Sequence, residues 1–433
     1  MDHSSPSGSV RGERLVHPLR FALGMLGITI PGQMYSAYAS FFYNDKMGLP
    51  LTMISLGMVF YSIWDAINDP LLGYLSDRTR TRYGRRKPWL LVAAPLFALF
   101  FILFFSPPGN LGIPTLTVYF TIMLMLTETM GTVTATNYHS LFPELFKGRD
   151  ERASANALRQ AMQLVGMIIG VSLTPVLTDV LGYSHTAILL GLLGMGLLVF
   201  CTLGCREDPA HSTEETPGLM DSFRAVLSNR NFWLVSGTNF FYQATVGLAL
   251  AAIPFFIKYA LGLPDIYATI LSGVVFVLAI PAMAGWAALI RRNGTLRVWR
   301  WALILLGIAF IPMFFASNIV MSIIGGALIG LGISGVTANI DLINAKIIDK
   351  DREVSGLARE GIYHSTINFV VRFSGLMRSL VFLLVSVWFG FVDSANPGHN
   401  PGMAARFMMS LFPVVFMLFS AVISRFVRFE DEI

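Results

Sequence analysis

Long apolar runs broken by short polar stretches dominate this chain. The first runs from about Pro18 to Asn44, the second from about Leu51 to Ser76, the third from Pro88 to the breaker Pro107-Pro108, and the fourth from about Pro114 to Phe142. The fifth carries Arg159 inside it, the sixth runs from about Thr186 to Leu203, and six more begin near Phe232, Ala268, Val298, Ile319, Ile362 and Ala404. A bilayer is crossed by about 20 mainly apolar residues in a helix, so the pattern predicts an all-α integral membrane protein with about twelve transmembrane helices. The polar stretch 204–230 sets Glu207, Asp208, Glu214 and Glu215 beside Pro209, Pro217 and Gly218 and reads as a linker. It separates a six-helix bundle over 18–203 from a second over 231–428, with tails at 1–17 and 429–433.

The second half echoes the first. Phe41-Phe42 precedes Gly48-Leu49-Pro50, and Phe255-Phe256 precedes Gly262-Leu263-Pro264 at the same spacing, each at the far end of the first span of its half. Internal repeats of helical bundles mark secondary transporters. Basic residues give the orientation: one face holds Lys46, Lys258 and Arg406 near span ends, and the other takes nearly all the rest. Both termini are therefore expected in the cytoplasm. Met1 to Arg14 lacks the apolar core and cleavage site of a signal peptide and reads as a cytoplasmic tail.

Composition agrees. The 433 residues are 54% hydrophobic and 13% charged, with a mean hydropathy of +0.63, too apolar for a soluble domain of this size. The pI near 9.2 does not indicate nucleic acid, because the basic residues sit between apolar runs as orientation signals do. Cys201 and Cys205 have no histidine beside them, which argues against a metal site. No nucleophile with a base, metal-ligand cluster or cofactor motif appears, so an enzyme is not expected.

Chemistry concentrates in Tyr61–Trp89, YSIWDAINDPLLGYLSDRTRTRYGRRKPW. Asp65 and Asp69 stand four apart and share a helix face. Ionised carboxylates at membrane depth cost roughly 2.5–3.5 kcal/mol each on the insertion scale, so they face a cavity and hold a partner. A proton, a small cation or a basic side chain would serve, and a structural ion pair is the plain alternative. The fourth span carries Thr127, Glu128, Thr129, Thr132, Thr134, Thr136, Asn137 and His139, a polar face suited to lining water or a substrate path. His139 alone reads as a hydrogen-bonded interior histidine ahead of a ligand. Arg159 and Arg372 each need an anionic partner at that depth, and Glu128, the paired aspartates and Asp341 are the candidates.

Two halves of six helices, with Gly73, Asp77, Arg78, Gly84, Arg85 and Arg86 after the second, resemble the major facilitator superfamily. More narrowly, WDAINDP followed by RTRTRYGRRKPW resembles the glycoside-pentoside-hexuronide:cation symporters, the melibiose permease-like group. The runs from Pro143-Glu144-Leu145 to Arg159-Gln160 and from Asp349 to Arg359-Glu360-Gly361 extend the likeness. The resemblance implies a monomeric symporter without cofactors, coupled to Na+ or H+, in a cell membrane, the bacterial inner membrane. It implies that Asp65 and Asp69 bind the cation, that Gly73 to Arg86 form a cytoplasmic gating motif, and that Arg159 lies near the substrate. Asn368 and Arg372 fall where the family has an Asn and a Lys; Arg372 keeps the charge and makes it permanent.

Ile28, Thr29, Ala135 and His139 stand where the melibiose permease-like group has its charged and aromatic sugar contacts. A cavity lined by Ile28, Thr29, Tyr35, Ala135 and His139 is less polar and would suit a glycoside with an apolar aglycone. A branch resembling lysophospholipid symporters also lacks those contacts and resembles this chain at Glu128-Thr129-Met130 and Glu151-Arg152. A sugar or glycoside is put ahead of a lysophospholipid or other amphiphile. A non-transporting sensor or assembly partner of the same fold is the alternative of another class.

Overall fold

The computed structural model describes residues 16–428 apart from 80, 82, 110, 147–148, 207–227 and 356–359. Helices α1 (Pro18–Phe41), α2 (Leu51–Arg78), α3 (Lys87–Phe104), α4 (Ile113–Leu145), α5 (Arg149–Met167) and α6 (Thr174–Gly204) form the first half. Helices α7 (Arg230–Phe255), α8 (Ile266–Asn293), α9 (Thr295–Ala309), α10 (Ile319–Ser355), α11 (Glu360–Arg372), α12 (Ser374–Phe389), α13 (Pro401–Arg406) and α14 (Phe412–Ser424) form the second. No strand occurs among the described residues.

Among them, nine helical runs are long and apolar enough to cross a membrane. One is Ser154–Gly204, whose 51 residues would reach ~75 Å as one straight helix. It turns instead at Gly182, where φ is +78°. The fifth and sixth expected spans both lie in this run. The first two expected spans are α1 and α2, which fall outside the nine. Thr29, Gln33, Ser36 and Ser40 lower the hydropathy of α1, and within α2 the described residues Leu51–Asp65 form a shorter apolar helix.

Glycine lets α1 sit at the centre of its half. A Cβ on Gly27 would meet the Gly194 carbonyl oxygen of α6 at 2.7 Å, and one on Gly194 would meet that of Gly27 at the same distance. Small residues permit this approach where lipid gives no hydrophobic drive between helices. Tyr38 Oη donates to the Val171 carbonyl at 2.8 Å and Tyr138 Oη to that of Phe21 at 2.8 Å, tying α1 to its neighbours. Between halves, α1 packs on α7, α2 on α12, and the turn after α5 on α8.

The repeat seen in the sequence has a matching backbone. Each first helix ends in a π-helical turn, Phe42–Lys46 after α1 and Phe256–Ala260 after α7. Each then turns through a left-handed glycine, Gly48 at φ +71° and Gly262 at φ +66°. The amides of Leu49 and Leu263 close both loops, onto Tyr43 and Ile257 carbonyls at 2.8 and 3.0 Å. Glycine is required there because other residues pay to reach positive φ.

Candidate functional site

Asp65 is 6% exposed on α2, and its Oδ1 accepts from Arg372 Nη1 at 2.9 Å. Arg372 ends α11, so the bond joins the two halves. Asp65 is one of the anionic partners expected for Arg372. Beside the pair, Thr129 Oγ1 of α4 accepts from Asn68 Nδ2 at 3.2 Å and from Trp64 Nε1 at 2.9 Å. The side chains of Asp69 and Asn368 lie outside the described ones, although both positions fall on helices.

The polar face expected on α4 divides. Thr129 and Asn137 serve the α2 contact, since Ser76 Oγ donates to Asn137 Oδ1 at 2.5 Å. Glu128 is half-buried with the Tyr61 hydroxyl at its carboxylate, and His139 is exposed. Thr29 Oγ1 donates back to Met25 O at 2.8 Å, and its methyl group packs on Gly166 of α5. A β-hydroxyl on a helix readily bonds the preceding turn, which a positional match cannot show. Tyr35 is buried against Phe104, ring centroids 4.8 Å apart, with its hydroxyl 3.5 Å from the Leu124 carbonyl.

Arg159 departs from expectation. It meets His139 Nδ1 at 2.8 Å and Asn156 Oδ1 at 2.9 Å and lies 5.0 Å from the Phe142 ring centroid. No carboxylate stands within ion-pair distance of it among the described residues. A guanidinium only donates, so His139 accepts through Nδ1 and carries its proton on Nε2. The field of Asp341 from the second half reaches the guanidinium, and an aromatic face supplies part of the compensation. Arg159→Lys would keep the charge and lose the planar fork. We expect KM for uptake to rise about tenfold; an unchanged KM would assign Arg159 to helix packing alone.

Below this layer, Gly84 takes φ +106° in the loop after α2, and Arg86 is buried with its Nη1 donating to Ser76 Oγ at 3.1 Å. The loop thereby docks on the α2–α4 contact. Lys87 Nζ donates to the Cys205 carbonyl at 3.1 Å, fastening it to the end of α6. Gly73, Asp77 and Arg78 lie on the last turns of α2 with side chains outside the described ones, and Arg85 is half-buried.

At the opposite end is a set of residues that charge counting passes over. Asp45, its side chain 1% exposed, receives Lys258 Nζ at 2.5 Å and Tyr259 Oη at 2.6 Å from the second half. Lys46 Nζ stands 3.3 Å from Asp265 Oδ2. Asn44 Nδ2 donates to the Val392 carbonyl at 2.7 Å, and Ser394 Oγ to that of Asp45 at 2.8 Å. Lys46 and Lys258 read in sequence as orientation marks; the signal for more was an acid close to each lysine at that end, Asp45 and Asp265. No group of three or more metal-ligating side chains occurs among the described residues.

Residues 20–431 match the model of the family described as MFS/sugar transport protein. An uncharacterized symporter of Synechocystis is 34% identical over 39% of this chain and 32% of its own length. The chain thus spans about a third of that relative. The isoprimeverose transporter of Lactiplantibacillus pentosus is 24% identical over 84% of this chain and 79% of its own. A sodium-dependent lysophosphatidylcholine symporter of Xenopus tropicalis is 27% identical over 35% and 29%. The crystal structure of the nucleoside transporter NupG superposes with a TM-score of 0.70 over 95% of this chain and 99% of its own at 11% identity, a likeness of fold. These are transporters and symporters, not enzymes. With its helices apolar enough to span a bilayer several times and the family model matched almost end to end, the chain is a multi-pass membrane protein that belongs to the MFS/sugar transport protein family.

Proposed function

We propose that this protein is a cation-coupled symporter working by alternating access, with about twelve crossings, cytoplasmic termini, and Asp65 and Asp69 as the cation site. The observation that carries this reading is the Asp65–Arg372 bond between halves. A carboxylate held by a fixed cation across a moving interface can exchange that partner for Na+ or H+. Arg372 cannot give up a proton to make room, so the exchange must move the guanidinium aside. Occupancy by the ion then changes how tightly α2 and α11 hold together, which is the differential interaction that a conformational shift requires. In this reading the Asp45–Lys258 end is the outer face, closed here, and the cavity opens to the cytoplasm.

The substrate is a small organic solute, with a sugar or glycoside ahead. The family description and the isoprimeverose transporter favour it. The lysophosphatidylcholine symporter supports an amphiphile over a shorter stretch, and Ile28 and Ala135 in place of polar contacts suit a lipid chain. Reconstituted in proteoliposomes, the protein should accumulate labelled isoprimeverose under an inward Na+ or H+ gradient. Equal uptake with and without either gradient would sink the coupling; accumulation of lysophosphatidylcholine alone would replace the sugar.

A further inference from the structure

The first long apolar run of the second half, Arg230–Ala260, begins where the last, Pro401–Ser424, ends. Between these ends of α7 and α14 lies a cavity of about 360 Å3 lined by Asn229, Arg230, Asn231, Phe426 and Arg428. Its walls are fixed by amides. Asn231 Nδ2 donates to the Arg428 carbonyl at 2.9 Å and its Oδ1 accepts from the Arg428 N–H at 3.5 Å. Asn229 Oδ1 accepts from Phe232 N at 3.1 Å, and its Nδ2 donates to Tyr363 Oη of α11 at 3.2 Å. Arg300 of α9 donates to the carbonyls of Ser424, Arg425 and Val427, holding the segment that leads to Arg428. The amides are spent on structure, whereas the guanidinia of Arg230 and Arg428 meet no acceptor among the described residues and no acid lines the cavity. Two like charges held in one cavity are both stabilised by a shared counter-ion. Arg230 opens its span and Arg428 stands just past the end of the other, so both lie at headgroup depth. Trp233 and Phe426, both exposed, set aromatic rings at that depth, as membrane interfaces favour.

We propose that this cavity binds the headgroup of an anionic phospholipid, with Arg230 and Arg428 donating to its phosphate oxygens and the acyl chains passing along Phe426 and Trp233. The guanidinium fork matches two oxygens of a phosphate. Two arginines exceed the single charge of a phosphodiester, and a choline or ethanolamine headgroup would bring a third cation up to them, so the site selects anionic over zwitterionic lipid. A free phosphate would satisfy the arginines and leave the exposed rings unused; a lipid engages both. The occupant bridges the first and last spans of the second half and so stabilises that bundle. With the termini cytoplasmic, the leaflet is the cytoplasmic one. The inference rests on the proposed orientation for that leaflet alone, and binding in detergent does not depend on it.

The test is thermal unfolding of the purified, delipidated full-length protein in detergent, with phosphatidylglycerol, phosphatidylcholine or inorganic phosphate added. We expect phosphatidylglycerol to raise Tm, phosphatidylcholine at the same concentration to raise it less, and inorganic phosphate to leave it unmoved. Arg230→Gln combined with Arg428→Gln should raise the apparent Kd for phosphatidylglycerol at least about tenfold. Arg291→Gln combined with Arg292→Gln removes as much charge from the end of α8, outside the cavity, and should leave that Kd unchanged. If the cavity double variant does not fold, each single variant carries the test and should weaken phosphatidylglycerol in the same direction. A Kd unmoved by the cavity substitutions, or moved equally by those at the end of α8, overturns the proposal. So does equal stabilisation by phosphatidylcholine, stabilisation by inorganic phosphate to the same extent, or stabilisation by none of the three.

Discussion

Asp65→Asn and Asp69→Asn are each expected to reduce gradient-driven accumulation to background while exchange of labelled for unlabelled solute continues. Asparagine keeps the shape and the oxygen but removes the charge that a cation or proton must compensate. For Asp65 the change also takes a carboxylate away from Arg372. Losing one partner of a buried pair costs ~3–5 kcal/mol, but the Arg372 side chain is 30% exposed, so the loss here should be nearer ~1–2 kcal/mol. Asp65→Asn with Arg372→Gln should therefore recover most of the lost Tm and none of the accumulation. That split separates a coupling carboxylate from a structural one. Two single variants that still concentrate solute would remove both aspartates from the mechanism; a double variant that regains accumulation would make the pair structural.

The second large effect is expected at the other end. Asp45→Asn removes the charge that Lys258 and Tyr259 both grip. Lys258 is 36% exposed, so we discount the buried-pair cost to ~2 kcal/mol, about a thirtyfold shift in population between states. The closed outer end loses that stabilisation and the outward-open state does not, so the equilibrium moves outward. A cysteine placed at Ser36, beneath the latch, should then react about an order of magnitude faster with a membrane-impermeant maleimide added outside. An unchanged rate would mean that Asp45 does not hold this end shut.

Much of the frame is legible in the sequence because lipid imposes one long period on every span. The positions of α3, α4 and α7 to α10 follow from apolar length, and the repeat of glycine turns shows in spacing alone. Asp65 stands out because a carboxylate in an apolar run is rare. Its partner is harder to find, since Arg372 comes from the other half and four acids compete for it on paper. Asp45 and Tyr259 are harder still: each is unremarkable within its own helix and gains meaning only from a residue far off in sequence. At Thr29 the hydroxyl turns back to Met25 O, which a matching position does not show.

The matched π-helical turns bring the two halves face to face at one end. At the offset of the repeat, Phe41 corresponds to Phe255 and Asp45 to Tyr259. Each touches its own counterpart, the phenyl centroids 5.2 Å apart and the phenol bonded to the carboxylate. A residue that meets its own image lies on the two-fold axis relating the halves. Identical halves would set phenyl against phenyl there and aspartate against aspartate, a pair that has to share a proton or a cation. With Tyr259 at the mirrored position, Asp45 takes a phenol and the Lys258 ammonium instead, so the asymmetry of the halves lets this end carry a buried acid without a bound ion.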